Sequence, residues 1–196
     1  MAAASPKSAS PKSTRTTDGG TLALDNPLWR FVLPFYARDG VSAACLTLQD
    51  RLGADVNILL FAIFAQVERG LMLDHDDLAT VDGLLRDWRH EVIQPLRRVR
   101  TRMKSGPAPA PAAATASLRN RIKTAELEAE QIALAVLLTW LDAQPARAAH
   151  PIAAKNIPAS VARYFHPGAF APDVEAALDT LMLAIRDTYA DRDRKS

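Results

Sequence analysis

A chain of 196 residues that is 48% apolar, 23% charged and only +2 in net charge has the make-up of one globular domain with a real core. That composition excludes a disordered chain and a coiled coil. The single cysteine, Cys45, excludes an intramolecular disulfide and suits a reducing compartment; the first twenty residues lack the apolar stretch of a secretory signal; and the strongly apolar run Ile132 to Leu141 is far short of the ~20 residues a membrane helix needs. A cytoplasmic location away from membranes is therefore expected.

Residues 1–21 are Ala, Ser, Thr, Pro, Lys and Gly with two Ser-Pro-Lys triplets, and they read as a disordered basic tail. The domain is expected over 22–190. Its first helix has Asn26 as N-cap and Pro27 at the first helical position, and Pro34 is expected to kink it. A second helix spans about Val41 to Leu52, with Gly53 as its left-handed stop. Asp55 then caps a third, about Val56 to Arg69, whose Leu59, Leu60, Phe61, Ile63, Phe64 and Val67 leave little polar surface, so it should lie centrally. Asp74 with Asp77 opens a stripe running from Leu78 to Met103, which predicts one long helix or two stacked ones, bent near Pro95. Residues 105–116 alternate Pro and Ala and are expected to form an extended linker within the domain.

A helix over about Leu118 to Asp142 follows, polar at its start and buried in its second half. Residues 143–158 read as loop and 161–165 as a short helical turn. Pro172 opens a last amphipathic helix, and 191–196 form a charged tail. No alternating strand pattern is present. The fold class is all-α: a single bundle of five to six main helices, one of them long and bent at a proline.

Charge is unevenly spread. Between Arg86 and Lys123 ten basic residues face two acidic ones, a local net of +8 in a chain of +2. Uniform helical spacing puts Arg86, Arg89, Arg97, Arg100 and Lys104 on one face of the long helix, a basic ridge. Such a ridge suits an acidic protein partner or, without any recognised nucleic-acid module, the phosphates of a nucleic acid. It is equally explained as a helix face neutralised by Glu126, Glu128 and Glu130 of the neighbouring helix. A second cluster, Gln49, Asp50, Asp55 and Asn57, surrounds the turn between the second and third helices. It reads either as a hydrogen-bonded network that fixes the turn, with Asn57 held by a buried partner, or as a polar ligand site.

Catalytic and metal patterns are weak. The four histidines stand apart, no Cys or His falls at metal spacing, and the one D-x-x-x-D pattern, Asp187 and Asp191, has no second copy facing it. No catalytic residue, metal or cofactor is expected. The leading expectation is a non-enzymatic interaction module that binds its partner through the basic helix, with a small-ligand binder or enzyme at the polar cluster as the alternative.

The stretch Cys45-Leu46-Thr47-Leu48-Gln49-Asp50-Arg51-Leu52-Gly53-Ala54-Asp55-Val56-Asn57-Ile58-Leu59-Leu60-Phe61 resembles the signature of a small proteobacterial family of unknown function. Trp88-Arg89, the segment 92–100 around Pro95-Leu96-Arg97, and Lys123 with Glu126-Leu127-Glu128-Ala129-Glu130 are similar to the same family, over roughly residues 25–142. Pro34 departs from its pattern. The resemblance implies a small helical cytoplasmic protein and carries no activity, substrate or partner.

Overall fold

The computed structural model describes residues 22–106, 110, 112–145 and 156–194. Eight α segments occur among them: α1 (Pro27–Tyr36), α2 (Val41–Leu52), α3 (Val56–Arg69), α4 (His75–Trp88), α5 (Gln94–Arg102), α6 (Ala112–Asp142), α7 (Ile157–Phe165) and α8 (Pro172–Asp193). A π-helical turn, Arg89–Ile93, joins α4 to α5 without a break, so the segments form seven rods, slightly more than the sequence led us to expect. No strand is present among the described residues.

Local chemistry sets most of the ends. The Asn26 side chain accepts from Trp29 N–H at 2.9 Å, and α1 continues across Pro34 to Tyr36. Gly53, at φ +68°, ends α2 while its N–H reaches the Gln49 carbonyl and that of Ala54 reaches Leu48, satisfying carbonyls the helix leaves open. Asp74 and Asp77 exchange side-chain and backbone bonds in a capping box at the start of α4.

The apolar stretch from Ile58 to Val67 is buried throughout, which places α3 at the centre, packed against α1, α2, α4, α6, α7 and α8. Around it Leu28, Leu48, Val81, Leu85, Leu134, Leu137, Val161 and Leu181 complete the core. The largest helix pairing is α2 with α8. There the turn before α2 comes so close that a Cβ on Gly40 would meet Thr180 Cγ2 at 2.9 Å, while φ +77° already favours glycine at that position.

Four boundaries differ from expectation. Residues 112–116 belong to α6 and not to a linker, since Ala is the strongest helix former and no proline lies between Pro111 and the end of this helix. Asn156 caps α7 through Ala159 N–H with Pro158 in the first turn, so this helix starts four residues earlier than its apolar pattern suggested. The charged end at 191–193 is helix, anchored by Arg38–Asp191 at 2.6 Å and by Arg192, which reaches Glu68 and the Val67 carbonyl. Near Pro95, where a bend is expected, the rod carries the π turn. Proline has no N–H to donate and its ring crowds the carbonyl four residues earlier, here Glu91; widening the preceding turn, with Gln94 N–H bonded to the Arg89 carbonyl, relieves both. The expected tail 1–21 lies outside the described residues.

Candidate functional site

The corner between α2 and α3 is built around Asp55. Its Oδ1 caps α3 by accepting from Asn57 N–H at 2.8 Å and Ile58 N–H at 3.3 Å, which leaves Oδ2 to accept from Arg89 at 2.9 Å. Arg89 sits at the first position of the π turn and uses its other terminal nitrogen on Asp82, at 2.6 Å to Oδ1. The remaining oxygen of Asp82 accepts from the Tyr164 hydroxyl at 3.2 Å. The chain Tyr164–Asp82–Arg89–Asp55 thus ties α7, α4 and the start of α3 together, and the Arg89 side chain is only 15% exposed.

About two turns further on, Arg97 spends all three nitrogens within the protein: Nε on Glu126 at 3.1 Å, one terminal nitrogen on Gln49 Oε1 at 2.6 Å and the other on Glu130 at 2.7 Å. Arg100 makes a two-point contact with the same Glu126. Burial works against the Glu126 carboxylate, yet the hydrogen bonds and charges of Arg100 and Arg97 outweigh it and hold the pKa below the ordinary glutamate value. At Glu130 the balance reverses: burial dominates, and Arg97 does not offset it, so this carboxyl is pushed up.

The exposed basic ridge is therefore corrected, and for Arg97 and Arg100 its other explanation, neutralisation by Glu126 and Glu130, describes the arrangement. Arg89, Arg97 and Arg100 do not share an exposed face with Arg86 and Lys104; they turn inward onto carboxylates of α3, α4 and α6, and Glu128 stays exposed outside this network. Arg86 and Lys104 remain exposed, with no ion pair among the described residues. Asp191, half of the D-x-x-x-D pattern, is held between Arg38 and Arg194, and no cluster able to hold a metal is found among the described residues.

Between the α2–α3 corner and the α4–π–α5 rod lies an open cleft of about 630 Å³, within the size range of small-molecule sites. It gathers all four residues of the expected polar cluster, Gln49, Asp50, Asp55 and Asn57, with Arg86, Arg89 and Arg97 from the expected ridge; Arg100 and Lys104 are not among its lining. The cluster is not the closed network that would hold Asn57. Its amide is half-buried on the cleft wall, and no hydrogen bond to it is made among the described residues. Asp82, His90, Gln94 and Phe165 also line it and were not anticipated, and Gly53, Ala54, Val56 and Ile93 complete the wall. Asp82 was readable in principle, two helical turns before Arg89 on the same face; Phe165 comes from α7, and no local signal relates it to the rest. His90 Nδ1 lies 3.1 Å from Gln94 Oε1 along the π turn.

Residues 27–137, more than half of the chain, match a protein-family model described only as "Protein of unknown function (DUF2390)". That span contains every cleft residue except Phe165. No curated protein and no solved structure matches.

Proposed function

The chain belongs to the DUF2390 family, whose function is unknown, and from its cleft we propose that it is a binding protein for a small polar molecule carrying both an acidic and a basic group, of the kind represented by a free amino acid. The observation that carries this reading is the division of labour among the lining groups. Asp55, Asp82, Arg89 and Arg97 are consumed by internal pairs, which fix the walls in place before any ligand arrives. Asp50, Arg86 and the Asn57 amide have no such employment among the described residues. They supply an anion, a cation and a donor–acceptor pair around one concavity, the complement of a zwitterion. With Asp55 and Asp82 both committed to Arg89, these carboxylates suit shaping of the site better than proton transfer. The lone buried Cys45 favours a reducing, cytoplasmic setting.

Calorimetric titration of the full chain with a panel of free amino acids tests the reading. Binding is expected, and Asn57→Leu should weaken it at least tenfold while the melting temperature stays within a few degrees, because no partner is stranded by the change. Failure of every member of the panel to bind, or an unaltered affinity in Asn57→Leu, would overturn it.

A second reading keeps the partner surface at another place. No acidic residue occurs between Glu91 and Glu126, and Arg98, Arg102, Lys104, Arg121 and Lys123, from the α5 end and the first half of α6, are exposed without ion pairs among the described residues. This end of the molecule suits an acidic protein partner, with nucleic acid as the alternative. Capture of such a partner from lysate should fall steeply with salt and persist after nuclease treatment; loss on nuclease treatment would point to nucleic acid.

A further inference from the structure

On the far side of Gln49, Val56, Asn57 and Arg97 lies a second hollow, about 220 Å³, between α1, α2 and α6. Those four residues line both concavities, so they form a shared partition, and the 2.6 Å hydrogen bond from Arg97 to Gln49 runs along it. The two sides differ in character. Amides and charges are set among Ala54, Val56, Ile93 and Phe165 around the cleft, whereas beyond the partition the slot is walled mainly by Trp29, Val32, Tyr36, Leu60 and Leu134.

Its rim adds a second observation. Leu33 on α1, Leu46 on α2 and Leu127 on α6 are 49%, 48% and 47% exposed, and all three border this one hollow. A single exposed leucine is ordinary, but three from separate helices converging on a concave apolar surface mark a place where something apolar is received. The volume bounds what that is. A dry cavity of about 150 Å³ accommodates benzene, and sites for drug-sized molecules begin near about 300 Å³, so 220 Å³ suits one ring or one branched chain.

Electrostatics decide the orientation. At the polar end of the slot the charge of Arg97 is already balanced by Glu130 and Glu126, so the slot has no net attraction for an ionic group. A charged head belongs in the cleft with Asp50 and Arg86. From these juxtaposed hollows we infer that the ligand is amphiphilic: an amino acid, or a molecule with the same head, whose large aromatic or branched side chain lies across the partition in the slot. The Asn57 amide then faces the junction of head and side chain. This inference rests on the cleft reading above and names the ligand class for it.

The test uses the full chain titrated separately with alanine, phenylalanine and p-cresol, which supply the head, the head with a ring, and a hydroxylated ring without the head. Two variants at exposed positions address the slot, Ala37→Trp to fill it and Leu46→Lys to make its rim polar. Burial of the ring should make phenylalanine bind about 10- to 100-fold more tightly than alanine, with a change in Trp29 fluorescence. Either variant should abolish that margin while retaining the affinity for alanine and the melting temperature. Equal affinities for alanine and phenylalanine would overturn the slot's role and leave the cleft reading intact. Binding of p-cresol as tight as phenylalanine, with none of alanine, would make the slot a site of its own and overturn both, as would absence of binding by all three.

Discussion

Replacing Glu126 with glutamine keeps the volume and one acceptor oxygen but removes the charge on which Arg97 and Arg100 both converge. Its side chain is 7% exposed, against 34% for Arg97 and 23% for Arg100. Removing one partner from a fully buried ion pair costs about 3–5 kcal/mol. Here Arg97 retains Glu130 and Gln49 and water reaches both guanidinium groups, so about 1.5–3 kcal/mol is expected. For a domain of this size that is a fall in melting temperature of roughly 3–12 °C. Urea denaturation should show a lower midpoint and an unchanged slope. Acid sharpens the test. Because the folded pKa of Glu126 lies below the ordinary 4.5, its contribution is present above that value and is lost as pH falls through the folded pKa. The gap between Glu126→Gln and the parent protein should therefore close in acid. Glu130, whose pKa is raised, has the opposite sense: its contribution is full below the ordinary value and disappears as pH rises through the folded pKa. The charge of Glu126 contributes to that rise, so Glu126→Gln lets Glu130 fall back towards its ordinary value and slightly narrows the gap at neutral pH. Replacing the set together, Arg97→Met, Arg100→Met, Glu126→Leu and Glu130→Leu, should recover much of the loss, since no charge is then stranded. A gap under about 0.5 kcal/mol at neutral pH, or one that persists undiminished below pH 3, would refute the assignment of these arginines to the interior.

Asp55→Ala should cost about 2–4 kcal/mol by chemical denaturation, because it uncaps α3 and deprives Arg89 of a partner, and Asp55→Asn should cost less because asparagine still caps. Gly83→Ala, in a helix with open space around the new methyl, should raise stability by about 0.4–1 kcal/mol. Gly40→Ala should lower it by at least about 1–2 kcal/mol, since positive φ and Thr180 both oppose a side chain. Burial pushes the Cys45 thiol up to about 12, so an aromatic disulfide reagent at pH 8 should label it in urea and leave the native protein unmodified.

What the sequence revealed and what it hid divide along one physical line, the distance over which each feature is determined. Asn26, Gly53, Asp55 and the pair Asp74 and Asp77 act on backbone groups within a few residues, and each was legible as a helix end. The polar cluster at the α2–α3 turn was legible too, because Gln49, Asp50, Asp55 and Asn57 are close in the chain. Of the two explanations of the basic ridge, the exposed face failed for Arg97 and Arg100 for a reason that can be stated. Counting at a uniform helical spacing assumes about 100° per residue, and the π turn inserts one extra residue, turning all of α5 by roughly that angle. Arg97 and Arg100 consequently meet Glu126 and Glu130 of α6, some thirty positions away. Nothing local marks Tyr164 or Phe165 as neighbours of this corner, since α7 arrives there only through tertiary packing.

Asp55 also bears on how the molecule opens. One oxygen holds the first amides of α3, two and three residues ahead, and the other holds a guanidinium 34 positions later. A carboxylate shared in this way links a short-range event to a long-range one. If the π turn loosens, Asp55 loses the contact that fixes its rotamer, and the amides of Asn57 and Ile58 lose a well-oriented acceptor. The start of the central helix and the middle of the long rod should thus exchange their amide hydrogens with a common opening free energy, as one cooperative unit assembled from two distant parts of the chain.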